Sequence, residues 1–231
     1  MLQNKIEYLK KELIRYASLV ERMIEKSIKG LVDKDPALLR EVMETDEKRA
    51  NDLEIHMDTV CTNLIAQYDP KARDLRFVLM AMKMGNDLER MGDHAVNIAE
   101  SGIFLIERPP IKPLMDIPRM AETVMVMLKN GIDAFVNDDD VLAKRVCKRD
   151  NEVDALRDQI LRELITFMSG DASIIERAMH LLRIAGNLER VADLATNISE
   201  DVVYLVDGKV IKHHCREVQE IPDGTDTNFD R

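Results

Sequence analysis

Three observations predict an all-α fold built as a tandem repeat of two three-helix bundles, six long helices in all. The first is composition. The chain of 231 residues is 45% hydrophobic, with no Trp, few other aromatics and abundant Leu, Met, Ile, Val and Ala. Cores of that make-up are usually built from helices. The second is periodicity: apolar residues recur at helical spacing over long stretches, and no segment alternates at period two for long enough to make a strand. The third is a repeat. GNDLERMGDHAVNIAE at Gly85 to Glu100 returns one hundred residues later as AGNLERVADLATNISE at Ala185 to Glu200, with eight identities in the thirteen positions from Leu88. That period is too long for a common solenoid unit and fits a duplicated small domain.

The elements follow in order. Ile6, Leu9, Leu13, Tyr16, Val20, Met23 and Leu31 form the apolar stripe of a first helix over about 3–32. Asp35-Pro36 opens a second helix, with Asp as N-cap and Pro at the first helical position. It runs to about Tyr68. Asp69-Pro70 is read as opening a third helix, to about 106. Pro109, Pro110, Pro113 and Pro118 then cluster, which marks a linker. A fourth helix is expected from about Pro118 to Val136, and an acidic turn at Asn137 to Asp140 follows it. A fifth helix ends near Met168, and a sixth covers about 172–206. The expected organisation is a first bundle over 1–107, a linker over 108–118, a second bundle over 119–212 and a mobile tail over 213–231.

The repeated segment carries the chemistry. Glu89, Asp93 and Asn97 are spaced by four, and so are Glu189, Asp193 and Asn197. Residues four apart lie one above the other on a helix. Stacked like charges cost about 0.2–0.5 kcal/mol per pair, and a hard cation offsets such repulsion because carboxylate oxygens suit it. Upstream the same line is apolar: Leu75, Leu79 and Met82 in one half, Ile175, Met179 and Leu182 in the other. It is expected to pack at that end and offer carboxylates at the other. The second helix of each half adds acids. Asp150 and Asp154 are four apart. Aligning Leu53 with Leu156 sets Glu47 and Asn51 opposite them; aligning from the upstream turn sets Asp46 opposite Asp150 instead. The first register is preferred because it keeps the leucine. His94 points about 100° away from Asp93 and is a poor ligand candidate.

Charge excludes some functions. A net charge of −10 is a poor basis for nucleic-acid binding, where phosphate contacts dominate affinity. It suits metal ions and basic protein partners. Cys61, Cys147 and Cys215 are scattered and form no CxxC, which reads as a reducing cytosol and no disulfide framework. The N-terminus lacks a signal-peptide core, and the apolar runs are too short to span a bilayer. No Glu-x-x-His occurs, which counts against an oxygen-activating carboxylate metalloenzyme. No Ser-His-Asp or Cys-His set stands out, and no Gly-rich phosphate loop.

The duplicated three-helix layout, the paired E-x-x-x-D-x-x-x-N columns and the Asp150-x-x-x-Asp154 motif resemble the PhoU family, accessory regulators of bacterial phosphate uptake. The resemblance covers about residues 3–212. It implies a cytoplasmic, non-enzymatic, all-α homodimer or higher oligomer. It implies multinuclear iron or zinc, or another divalent cation, held by these acidic motifs. It implies a negative regulator that couples the ATPase subunit of the phosphate ABC transporter to a sensor histidine kinase, so that the starvation response stays off when phosphate is plentiful. Neither nucleic-acid binding nor membrane insertion is implied. The alternative reading is a metal-free helical adaptor.

Overall fold

The structure is a computed structural model, and it describes residues 2–207. The tail expected over 213–231 lies outside the described residues.

Every described element is helical. Helix α1 spans Leu2–Val32, α2 Pro36–Glu41, α3 Glu47–Tyr68, α4 Ala72–Ile106, α5 Asp116–Asn137, α6 Asp140–Gly170 and α7 Ile175–Asp207. A π turn, Val42–Asp46, joins α2 to α3, so the expected second helix is one rod with an extra residue wound into it. A 3₁₀ turn, Ala172–Ile174, leads into α7. The caps explain the boundaries. Asp35 accepts from the Ala37 amide at 2.8 Å with Pro36 behind it. Asp139 accepts from the Leu142 amide at 2.9 Å, and Asp171 from Ser173 at 2.8 Å. Asp69 departs from the expectation. It sits left-handed at φ 44° and ends α3 rather than capping α4, a conformation Asp tolerates better than most residues. Helix α5 begins at Asp116, upstream of the expected Pro118.

The core is continuous from α1 to α7. Leu9, Leu13, Tyr16 and Met23 of α1 are fully buried, with Met84, Leu88, Met91 and Ile98 of α4. The halves meet through this core. Phe77 of α4 stacks on Phe135 of α5 with centroids 4.7 Å apart, and Lys10 of α1 donates to the Val136 carbonyl at 2.9 Å. Helices α4 and α7 run antiparallel along one another. Lys83 pairs with Asp201 at 2.6 Å, His94 Nδ1 lies 2.9 Å from Asn187 Oδ1, and Phe104 stacks on His180 at 3.8 Å.

The proline segment between α4 and α5 is pinned. Arg177 of α7 donates to the Pro109 carbonyl at 2.7 Å, and Lys112 bridges Asp116 and Glu163. Cys61 is buried and free. Cys147 departs from the reading of the cysteines as unbridged, since it is disulfide-bonded. Among the described residues no helix is long and apolar enough to cross a membrane.

Candidate functional site

The π turn decides the register left open at the first acidic motif. The buried positions from α2 onward include Leu39, Val42, Asp46, Ala50, Met57 and Cys61; those of α6 include Ala143, Val146, Asp150, Val153, Ile160 and Leu164. The two series keep step except between Asp46 and Ala50, where the first half holds one extra residue. A π turn adds one residue without turning the downstream helix away from its neighbours. Both alignments are therefore right, each on its own side of the turn. Asp46, 1% exposed, is the structural counterpart of the buried Asp150. The preferred pairing of Glu47 with Asp150 is corrected, since Glu47 is only half-buried; Asn51, past the turn, keeps its match to Asp154 and is exposed.

Asp46 is matched by a cation. Lys26 of α1 donates to it at 2.6 Å and to Glu41 at 2.8 Å. Burial pulls the Lys26 ammonium down, and these two hydrogen bonds more than reverse that, leaving it above its usual value.

Three carboxylates of the first half crowd one hydroxyl. Tyr16 of α1 is fully buried, and its hydroxyl has no hydrogen-bond partner among the described residues. Burial raises that hydroxyl well above the usual phenol range, and Glu54, Glu89 and Asp93 raise it further. Burial also raises the Glu89 carboxyl, with Asp93 and Glu54 adding to the effect against the pull of Arg90. Helix α3 thus brings Glu54 to the α4 column. Sequence reasoning missed both Glu54 and Tyr16. The signal for Tyr16 was a phenol in a purely apolar stripe, where its hydroxyl needs a partner when buried.

In the second half Asp150 is buried, Asp154 and Glu189 are half-buried, and Asp193 and Asn197 are exposed. Counted back from the α6–α7 turn, Asp150 and Asp154 lie level with Ala195 and Val191, beside the Glu189–Asp193 stretch. In the first half Glu89 and Asn97 are half-buried and Asp93 is exposed. His94 turns to Asn187 on α7, away from the column. Burial lowers its imidazole, with Arg190 and Arg90 adding to that against the Asn187 hydrogen bond.

The donors suit a hard cation: carboxylate oxygens in columns and, in the first half, an unpartnered buried hydroxyl. The placement does not yet make a site. Among the described residues no three His, Cys, Asp or Glu side chains converge to hold a metal ion.

The upstream ends of the two lines contradict the expectation that they pack. Leu79 is 43% exposed, Ile175 45% and Met179 54%. Only Leu75, Met82 and Leu182 are half-buried. Each line is thus open at Leu79 or at Ile175 and Met179 and partly covered at the remaining positions.

Comparison with known proteins follows the same layout. The family model described as the PhoU domain matches twice, over residues 13–102 and 117–202. The phosphate-specific transport system accessory protein PhoU homolog of Aquifex aeolicus is 40% identical over 220 residues, which is 95% of this chain and 99% of that protein. Homolog 2 of Thermotoga maritima is 34% identical over 94% of this chain and 92% of its own length. The crystal structure of PhoU from Pseudomonas aeruginosa superposes with a TM-score of 0.86 at 32% identity, covering 90% of this chain and all of that one. The phosphate transport system regulatory protein PhoU from Streptococcus pneumoniae gives 0.85 at 28% identity, over 91% of this chain and 99% of that one. This is a family of accessory and regulatory proteins, not of enzymes. With its duplicated three-helix layout, its paired acidic columns and these matches across nearly its whole length, the chain belongs to the PhoU family.

Proposed function

We propose that this protein is the accessory regulator of a phosphate-specific transport system. It acts in the cytoplasm as a homodimer, contacts the transporter's ATPase subunit and a sensor histidine kinase, and holds the starvation response off while phosphate is plentiful. The observation that carries this reading is the 40% identity, over 95% of the chain, to a protein named for that accessory role. The test is deletion of the gene with a starvation-responsive reporter in phosphate-rich medium. Derepression, reversed by the full-length chain, is the expected result. Co-purification of the chain with the ATPase subunit and with the kinase checks each contact, and light scattering of the purified protein checks the dimer.

We further propose that the acidic columns take a divalent cation or an iron or zinc cluster. Glu89 and Asp93, with Glu54 and the Tyr16 hydroxyl, would hold it in the first half; Glu189, Asp193, Asp150 and Asp154 would do so in the second. The bound cation supplies positive charge that relieves the carboxylate crowding around Tyr16. Because the side chains do not converge as placed, binding requires that α3 and α4, or α6 and α7, draw their carboxylates together. The same observation favours the second reading, a metal-free helical adaptor whose columns are an acidic docking face. Elemental analysis of untagged protein purified without chelator separates the two. A near-integer metal content that falls in the Glu189→Ala/Asp193→Ala variant supports the first, and a metal-free folded protein supports the second.

A further inference from the structure

A cavity away from the acidic columns lies where the two halves of the chain are joined. It measures about 40 Å³ and is walled by Leu31 of α1, Leu105 and Ile106 of α4, Ile111 and Leu114 of the proline segment and Leu181 of α7. Its charged lining is Lys34, Arg108, Lys112 and Arg177, and none of the residues that line it is acidic. In a chain of net charge −10 that is an unusual wall. The proline segment occurs once, so the duplication does not repeat this site.

The walls are fixed in place. Arg177 ties α7 to the Pro109 carbonyl at 2.7 Å, and Lys112 ties the segment to Asp116 and to Glu163 of α6. Arg108 donates to the Phe104 carbonyl at 2.7 Å and lies 3.5 Å from the centre of the Phe104 ring, which is itself stacked on His180. Binding sites are usually preformed in this way. Size then limits the occupant. At about 10–15 Å³ for each water-sized group, the enclosed space takes the aliphatic end of one Val, Leu or Ile side chain. It is too small for an aromatic ring or a lipid chain.

Charge limits it further. Lys112 is neutralised by Asp116 and Glu163 and is set aside. Arg108 and Arg177 spend hydrogen bonds on neutral carbonyls, which leaves their charge, and each guanidinium has further N–H donors. Lys34 makes no ion pair among the described residues. The acids next to these three cations are Asp33, Asp35, Glu107 and Glu176. Asp35 caps α2 through the Ala37 and Leu38 amides. Glu176 lines a separate concavity with His180 and Arg183. Glu107 stands 3.7 Å from Arg108, beyond hydrogen-bond distance, and both it and Asp33 are exposed. Lys34 is also held left-handed, at φ 55°, just past a helix end where Gly or Asn is the usual residue. The chain keeps a lysine where its backbone favours glycine, which points to use of the side chain.

We propose that this cavity docks an acidic segment of a partner protein: one Val, Leu or Ile side chain fills it, and neighbouring Asp or Glu side chains meet Lys34, Arg108 and Arg177. This docking rests on the accessory role proposed above for the partner's name only; its chemistry comes from the cavity.

The test begins with photo-crosslinking of the full-length chain in its own cell. Benzoylphenylalanine replaces Pro110, an exposed lining residue, or Met115, 76% exposed beside Leu114, with the exposed Arg22 of α1 as control. Circular dichroism checks the fold of each. Both positions should give an adduct with the same protein, at a segment where Val, Leu or Ile adjoins Asp or Glu, while residue 22 stays at background. A synthetic peptide of that segment is then titrated onto the purified chain by fluorescence anisotropy. Changing its aliphatic anchor to Ala should weaken binding about tenfold or more. Lys34→Gly relieves the left-handed backbone, so its melting temperature should hold or rise while affinity falls about fivefold. No adduct above control from either position, an adduct with this chain itself, a segment without acids, indifference to the anchor, or parental affinity in Lys34→Gly would overturn the proposal. Should the partner be neither part of the phosphate transport system nor a histidine kinase, the docking stands and the proposed function fails.

Discussion

Lys26 carries more of the structure than its place on a surface helix suggests, because it is the counter-ion of the buried Asp46. Lys26→Met leaves that carboxylate buried and without its Lys26 partner, a loss of about 3 kcal/mol. Urea melts should show it, with most of the loss recovered in the Lys26→Met/Asp46→Leu double variant. Asp87 works the other way. Burial pushes its carboxyl up to about 6, Lys83 and Arg90 pull it down and Asp201 pushes it up. A folded value above the unfolded one means that the native state holds the proton more tightly. Its contribution is therefore fully present below about pH 4 and is lost as pH rises through about 6. Asp87→Asn, which copies the Asn187 of the second half, should gain roughly 2–3 kcal/mol at pH 7 and flatten the stability profile between pH 4 and 6. Thermal melts across that range, in the presence of chelator, check it. Neither environment was legible in the sequence. The sequence analysis did not single out Asp87, and its burial depends on α7, which lies a hundred residues away. The columns at Glu89–Asp93 and Glu189–Asp193 were legible because their spacing is local to one helix. Glu54 and Tyr16 were not, because only packing brings α1 and α3 to them.

The helices themselves were legible nearly to their ends, since caps and prolines are local signals. Asp35-Pro36 acts as read. Asp69-Pro70 reads the same way in sequence, yet Asp69 sits left-handed, donates its amide to the Ile65 carbonyl and closes α3. The extra residue of the π turn could be seen only as an ambiguous alignment. Its structural meaning gives a test. Deleting Glu47 should convert the π turn to regular helix and keep Ala50, Met57 and Cys61 in place, so the melting temperature should fall by no more than a few degrees. Deleting the exposed Asp158 from the regular helix α6 should rotate Ile160 and Leu164 by about 100° away from the core and prevent folding. Close packing at the α1–α2 corner is equally local. A Cβ on Gly30 would lie 2.7 Å from Leu39 Cγ and 3.1 Å from the Asp35 carbonyl oxygen. Overpacking costs about 1–3 kcal/mol and exceeds the gain of about 1 kcal/mol in helix propensity, so Gly30→Ala should melt earlier than the parent protein.

At the scale of the molecule, the sequence showed a duplication but not that the two halves share one core. The Phe77–Phe135 stack and the α4–α7 seam join residues too far apart for any periodicity to reveal. The halves should therefore unfold together. Phe135→Ala, which empties a fully buried ring site, should cost about 3–5 kcal/mol and shift one calorimetric transition without splitting it into two. The same seam joins the two helices that carry the acidic columns, and the proposed function makes those columns its working surface. The most direct measurement replaces the chromosomal gene with one carrying Glu89→Ala, Asp93→Ala, Glu189→Ala and Asp193→Ala and reads a phosphate-starvation reporter in phosphate-rich medium. All four side chains are half-buried or exposed, so protein abundance should hold. The expected result is a reporter switched on to the level of the gene deletion; a reporter that stays off, with the variant present at normal abundance, would contradict the assignment of function to this face.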